Sequence, residues 1–183
     1  MKELSLNILD IVENSTKAGS QLTSITIDEE GEKLTLTITD NGCGMPEDVV
    51  ESVINPFYTT RTTRKVGLGI PLLKLSAEQT GGDFKITSKV KTETSTDHGT
   101  KVIANFYKNH IDFTPLGDVV STIVTLIQGH PEKDFWFIHK KNGKTVELDT
   151  RVLRAELEDI PLNSYEIINW IGEYLKEQYA NLE

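Results

Sequence analysis

From Leu4 to Ala18 the apolar residues Leu4, Ile8, Ile11 and Val12 recur at helical spacing, with Ser15 next in the same stripe, and Gly19 supplies a stop. Two alternating runs follow, 24–28 and 33–40, in which isoleucines and leucines point one way and threonines the other. The turn between them, 29–32, contains Gly31, so the pattern predicts a hairpin with one dry face packed on the first helix. Segment 47–54 reads as a short helix, 55–69 as an extended, glycine-ended loop, and 70–79 as a helix with Pro71 in its first turn. Strands are expected over 83–91 and 101–107, on either side of the polar loop KTETSTDHG. This order predicts an α+β fold, a two-layer sandwich with helices on one face of a mixed, mainly antiparallel sheet.

Residues 108–118, with Pro115 and Gly117, read as a junction, which divides the chain into a unit over 1–107 and a small α+β extension over 108–183. In the extension the pattern predicts an amphipathic helix over 119–128, a hairpin turning at Asn142–Gly143, and helices over 151–158 and 165–179. Its aromatic residues Phe135, Trp136, Phe137, Trp170 and Tyr174 carry enough apolar surface to pack on the first unit or to grip a partner.

The chain has 183 residues, 28 acidic and 19 basic, for a net charge of -9. That field repels a phosphate backbone, so nucleic acid is not an expected partner. A single cysteine excludes an internal disulfide framework. Apolar runs are short, and Glu3 and Asp10 interrupt the stretch that a signal peptide would need, so a cytoplasmic protein with no membrane span is expected.

Asp10 and Asn14 lie four residues apart, so their side chains project from one face of the first helix, with Lys17 one turn on. A carboxylate beside a carboxamide can position a water and hold a hard metal ion, Asp10 as base and Asn14 as a neutral Mg²⁺ ligand; a solvated helix face is the commoner meaning of the same pattern. Asp40 ends a strand beside the glycines of NGCG, and GLG at 67–69 opens a helix whose N-terminus suits an anion. Arg61, Arg64 and Lys65 stand among four threonines in the preceding loop, which is phosphate-compatible chemistry. None of the four histidines has a second histidine or cysteine at metal-ligand spacing, and they read as structural or solvent-facing.

In order, LDIVENSTKAG, DNGCGMP, INPFYTTR, GLGIPLLK and GTKVIANF resemble the N box, first glycine box, lid, second glycine box and closing strand of the GHKL superfamily. That superfamily joins gyrase, the heat-shock chaperone, histidine kinases and MutL. The resemblance covers about residues 4–107 and implies the Bergerat-type ATP-binding fold, with ATP and Mg²⁺ as cofactors. It implies that Asp40 accepts from the adenine amino group, with Gly44 and Thr100 near the base, and that Gly42 and Met45 belong to the same nucleotide site. Asn14 would hold Mg²⁺, Gly67 and Gly69 would line the phosphates with backbone N–H groups, and Lys17, Leu68 and Ile70 would belong to the nucleotide site. Phe57, Thr60 and Arg61 would form the lid. Asp10 falls where the family's hydrolases carry a glutamate, so its carboxylate is one methylene short, a displacement that costs turnover rather than binding. The resemblance further implies an ATPase or kinase acting on a separate protein partner or phosphoacceptor, and it allows a homodimer. A non-catalytic ATP/ADP-sensing regulatory module is the alternative.

Overall fold

The computed structural model describes residues 3–55 and 68–183. Six strands, β1 (Leu22–Glu30), β2 (Lys33–Asp40), β3 (Phe84–Lys89), β4 (Gly99–Tyr107), β5 (Asp134–Lys141) and β6 (Lys144–Asp149), form one sheet in the order β3-β4-β2-β1-β5-β6. All neighbours are antiparallel except β1 and β5, which run parallel. The described helices are α1 (Leu4–Lys17), α2 (Glu47–Ile54), α3 (Gly69–Gln79), α4 (Val119–Gly129), α5 (Thr150–Leu157) and α6 (Tyr165–Leu182).

The expected α+β architecture is present, and its cause is the alternation along the strands. In β2 the side chains of Leu34, Leu36 and Ile38 are buried while Thr35 and Thr37 point to the other face. Ile25 and Ile27 of β1, Val102, Ala104 and Phe106 of β4, and Phe135 and Phe137 of β5 join the same dry layer. The stripes of α1, α3, α4 and α6 cover it: Leu4, Ile8 and Val12, then Leu73 and Ala77, then Ile123 and Leu126, then Ile171 and Leu175. The β5–β6 turn has Asn142 and Gly143 at φ 53° and 73°, the left-handed pair that an Asn-Gly two-residue hairpin favours.

The segment after residue 107 builds onto this layer. Its strand β5 pairs along β1, and the junction completes α1, which has no side-chain cap: Leu4 and Ser5 donate their N–H groups to the Pro115 and Leu116 carbonyls at 2.9 Å each. Helix α6 runs three residues past the expected end because Leu182 is itself buried. The same helix is pinned by a polar cluster that includes one of the four histidines. His139, 2% exposed, donates from Nε2 to Glu29 Oε1 at 2.8 Å, and its Nδ1 accepts from the Tyr179 hydroxyl at 2.8 Å. Lys108 donates to the other Glu29 oxygen at 2.8 Å.

Candidate functional site

Helix α1, the ends of β2 and β4, helix α2 and the start of α3 enclose a cavity of about 680 Å³. Its walls are largely apolar, with Ile11, Ile38, Val49, Ile70 and Val102 among them, and Asn14, Lys17, Asp40 and Thr100 supply polar groups. A slot of this size with a few convergent polar groups suits a flat aromatic ligand carrying polar edges.

Asp40 is held from three sides. Its Oδ1 accepts from the Gly42 N–H at 2.9 Å and the Thr100 N–H at 3.2 Å, and its Oδ2 accepts from the Ser15 hydroxyl at 2.7 Å. A carboxylate offers about four lone-pair sites. Among the described residues Oδ1 is therefore filled and one acceptor site remains on Oδ2, on a residue that lines the cavity. The carboxylate is thus oriented before any ligand arrives, ready for one N–H donor.

The loop after Asp40 is stitched to its surroundings. Asn41 Oδ1 accepts from the N–H groups of Gln21 and Leu22 at 2.8 and 3.0 Å. Cys43 N–H donates to Ala18 O at 2.9 Å, and its carbonyl accepts from Lys91 N–H at 2.8 Å. Met45 N–H donates to Ser88 Oγ at 2.8 Å, while His98 Nδ1–H donates to Gly42 O at 2.6 Å. Gly44 has φ 69°, and a Cβ there would collide with the Lys89 carbonyl. Gly99 makes the same accommodation for the Asp40 carbonyl, and β4 begins there, two residues before the expected Lys101, because Gly99 and Thr100 pair with Lys89 and Ser88 of β3.

On α1, Asn14 and Lys17 line the cavity, whereas Asp10 is exposed and lies outside its lining. Asp10 instead sits against Gly69 at the start of α3, where a Cβ would come within 2.9 Å of Asp10 Cβ. Glu13 is engaged elsewhere, bonded to His130 Nε2 at 2.9 Å. Among the described residues no cluster of three or more His, Cys, Asp or Glu could hold a metal by itself. The donor set fits Mg²⁺ only in the manner of nucleotide sites, with Asn14 as one neutral oxygen and the remaining positions left for phosphate and water.

Of the residues expected from the sequence, the structure brings Asn14, Lys17, Asp40, Gly44, Met45, Ile70 and Thr100 to the cavity wall. Gly42 stands behind Asp40 as its hydrogen-bond donor, and Leu68 and Gly69 lie at the head of α3, with Leu68 exposed. Phe57, Thr60, Arg61 and Gly67 lie outside the described residues, as does most of the expected 55–69 loop. Sequence reasoning missed Ser15 and Ser88. Ser15 had a signal, a polar residue at a core position of an apolar stripe; Ser88 had none, since its role depends on β3 pairing with β4.

Residues 1–106 match the family described as histidine kinase-, DNA gyrase B- and HSP90-like ATPase. The hybrid signal transduction histidine kinase A of Dictyostelium discoideum is 33% identical over 105 residues, 49% of this chain and 5% of that protein. The sensor histidine kinase ZraS of Escherichia coli (strain K12) is 29% identical over 84 residues, 45% of this chain and 18% of that protein. The chain thus spans less than a fifth of the length of these two relatives. Among solved structures, the N-terminal domain of a DNA repair protein superposes with a TM-score of 0.58 at 17% identity, covering 81% of this chain and 53% of the other. The Aquifex aeolicus MutL ATPase domain complexed with ADP gives 0.56 at 17% identity, covering 86% and 68%. An 86% span exceeds what residues 1–106 can supply, so the likeness in fold extends into the segment after the junction.

Proposed function

The chain belongs to the histidine kinase-, DNA gyrase B- and HSP90-like ATPase family, and on that footing we propose that it is a Mg²⁺-dependent ATP-binding protein acting as a histidine kinase-like catalytic domain on a separate partner protein. The observation that carries the reading is Asp40, a carboxylate with three fixed donors and one open acceptor site at the wall of an apolar slot. Adenine presents an amino group to such an acceptor, whereas guanine presents a carbonyl, so the site selects ATP and ADP over GTP. Asn14 and Lys17 lie on the same wall, suited to Mg²⁺ and phosphate; the metal, when bound, neutralises phosphate charge. Action on another protein is supported by two exposed leucines, Leu68 (57%) just before α3 and Leu75 (50%) on α3, the helix that begins at the site.

Asp10 favours a second reading, an ATP/ADP-sensing regulatory module without turnover. Its short carboxylate lies outside the cavity lining and packs on Gly69, which leaves an activating role for water unsupported. Incubation of the protein with labelled ATP and Mg²⁺, alone and with candidate partners, separates the two. Phosphate release or label transfer upholds the catalytic reading; tight binding without either upholds the sensor. Failure of any adenine nucleotide to bind refutes both.

A further inference from the structure

At the β6 end of the sheet, away from the nucleotide slot, four elements meet in an aromatic band. Trp136 points to the uncovered face of β5, since its neighbours Phe135 and Phe137 are buried in the core. Its indole N–H donates to Glu147 on β6 at 2.8 Å, and the Arg151 guanidinium lies 5.3 Å from the centre of its ring. On α6 Trp170 and Tyr174 stack, with ring centres 5.1 Å apart and planes 13° from parallel. The Tyr174 hydroxyl donates to the Glu147 backbone carbonyl at 3.2 Å, so Glu147 links two pairs around the β6 edge: Trp136 with Arg151 on the outer face of the sheet, and Tyr174 with Trp170 on the side of α6.

Trp170 is 50% exposed although it is a large apolar side chain. Trp, Tyr and Arg are the residue types that carry most binding energy at interfaces, and rings already fixed by stacking lose little freedom when a partner covers them. Simple strand addition to β6 is obstructed, because Tyr174 occupies the Glu147 carbonyl and Lys144 Nζ bonds the Asn181 carbonyl of α6 at 2.9 Å. Recognition here runs through side chains.

The charge around the band selects the occupant. Arg151 is matched by Asp149 at 2.8 Å and Lys176 by Glu173 at 3.2 Å, whereas the exposed Glu166 and Glu177 have no cationic partner among the described residues. From Arg151 onward there are three basic and seven acidic residues, a balance of -4. The guanidinium over Trp136 shows the contact that these rings make with a cation. We propose that this band docks a cationic amphipathic segment of a partner protein, whose arginines or lysines meet the ring faces and glutamates while its apolar side chains cover Trp170. Because the nucleotide slot is built from β2, β4, α1, α2 and α3, a partner held here leaves that slot open.

Both tryptophans of the chain lie in the band, so two indole N–H resonances report on it alone. The full chain is titrated with a synthetic helical peptide carrying leucines on one face and arginines on the other. Both resonances should move and saturate, and Trp170→Ala should weaken binding at least tenfold, with Glu166→Lys as a second, surface variant that weakens it without touching the rings. A peptide with serine in place of leucine and one with glutamate in place of arginine should leave the resonances unmoved. The proposal is overturned by no shift, by equal binding of the serine peptide, by a Trp170→Ala variant that binds as well as the parent, or by a concentration-dependent shift without peptide, which would assign the surface to a second copy of the chain. ATP affinity measured alongside stays unchanged in these variants, so a failure of nucleotide binding counts against the proposed function and leaves this surface untouched.

Discussion

Asp40→Asn tests the nucleotide site by reversing polarity at one atom while conserving shape. If the carboxamide oxygen takes the Oδ1 position it still accepts from Gly42 and Thr100, and the new NH₂ meets Ser15, whose hydroxyl can turn to accept. The opposite orientation would set NH₂ against two backbone N–H donors, so the first prevails and the fold is retained. What changes is the open site on Oδ2, which turns from a charged acceptor into a donor facing the adenine amino group. A hydrogen bond to a charged group contributes roughly 1.5 to 3 kcal/mol, or about 10- to 150-fold in affinity. Calorimetry should show ATP and ADP weakened within that range, and GTP should lose its disadvantage because its carbonyl now meets a donor. An unchanged melting temperature with unchanged ATP affinity would refute the assignment of Asp40, and with it the reading of the slot as an adenine site.

Asp10→Asn should leave nucleotide affinity within a few fold and abolish whatever phosphate release or transfer the labelled-ATP assay detects; a variant as active as the parent would show that Asp10 is not the base. Gly44→Ala should lower both the melting temperature and ATP affinity, because the new methyl group collides with the Lys89 carbonyl at a left-handed position and must push β3 from the Asp40 loop. Acid should loosen α6. Burial holds the His139 pKa below its ordinary 6.5, against the pull of Glu29, and although burial pushes Glu29 up, its bonds to Lys108 and His139 hold it below 4.5. Both groups bind protons more readily unfolded than folded, so their stabilisation is complete above about pH 6.5 and is lost as pH falls through the folded values. Denaturant melts between pH 7 and pH 4 should show this loss, and His139→Gln should flatten its upper part; an unchanged slope in that variant would refute the role of His139.

Much of the fold was legible because it rests on local periodicity. The stripe of α1, the alternation of β1, β2 and β4, and the Asn142–Gly143 turn each follow from side-chain spacing and backbone preference within a few residues, and the structure places them close to where the pattern did. The chemistry-bearing residues were legible to the extent that a family pattern names them by order along the chain. Asp40, Asn14 and Thr100 were singled out in that way, and that they line one cavity follows from β2 pairing with β4 and α1 packing on the sheet.

Long-range pairing decided the rest. No local signal says that β5 runs parallel to β1, that the junction carbonyls finish α1, or that a Ser88 hydroxyl joins Met45 to Gly99. These contacts unite residues tens of positions apart, and their free energy comes from burying groups that have no relation in the unfolded chain. His139 makes the distinction plain. As a sequence feature it is a lone histidine in a strand, without metal-ligand spacing. Only the approach of Glu29 from β1, Lys108 from the junction and Tyr179 from α6 turns it into a buried, hydrogen-bonded group that ties the last helix to the sheet.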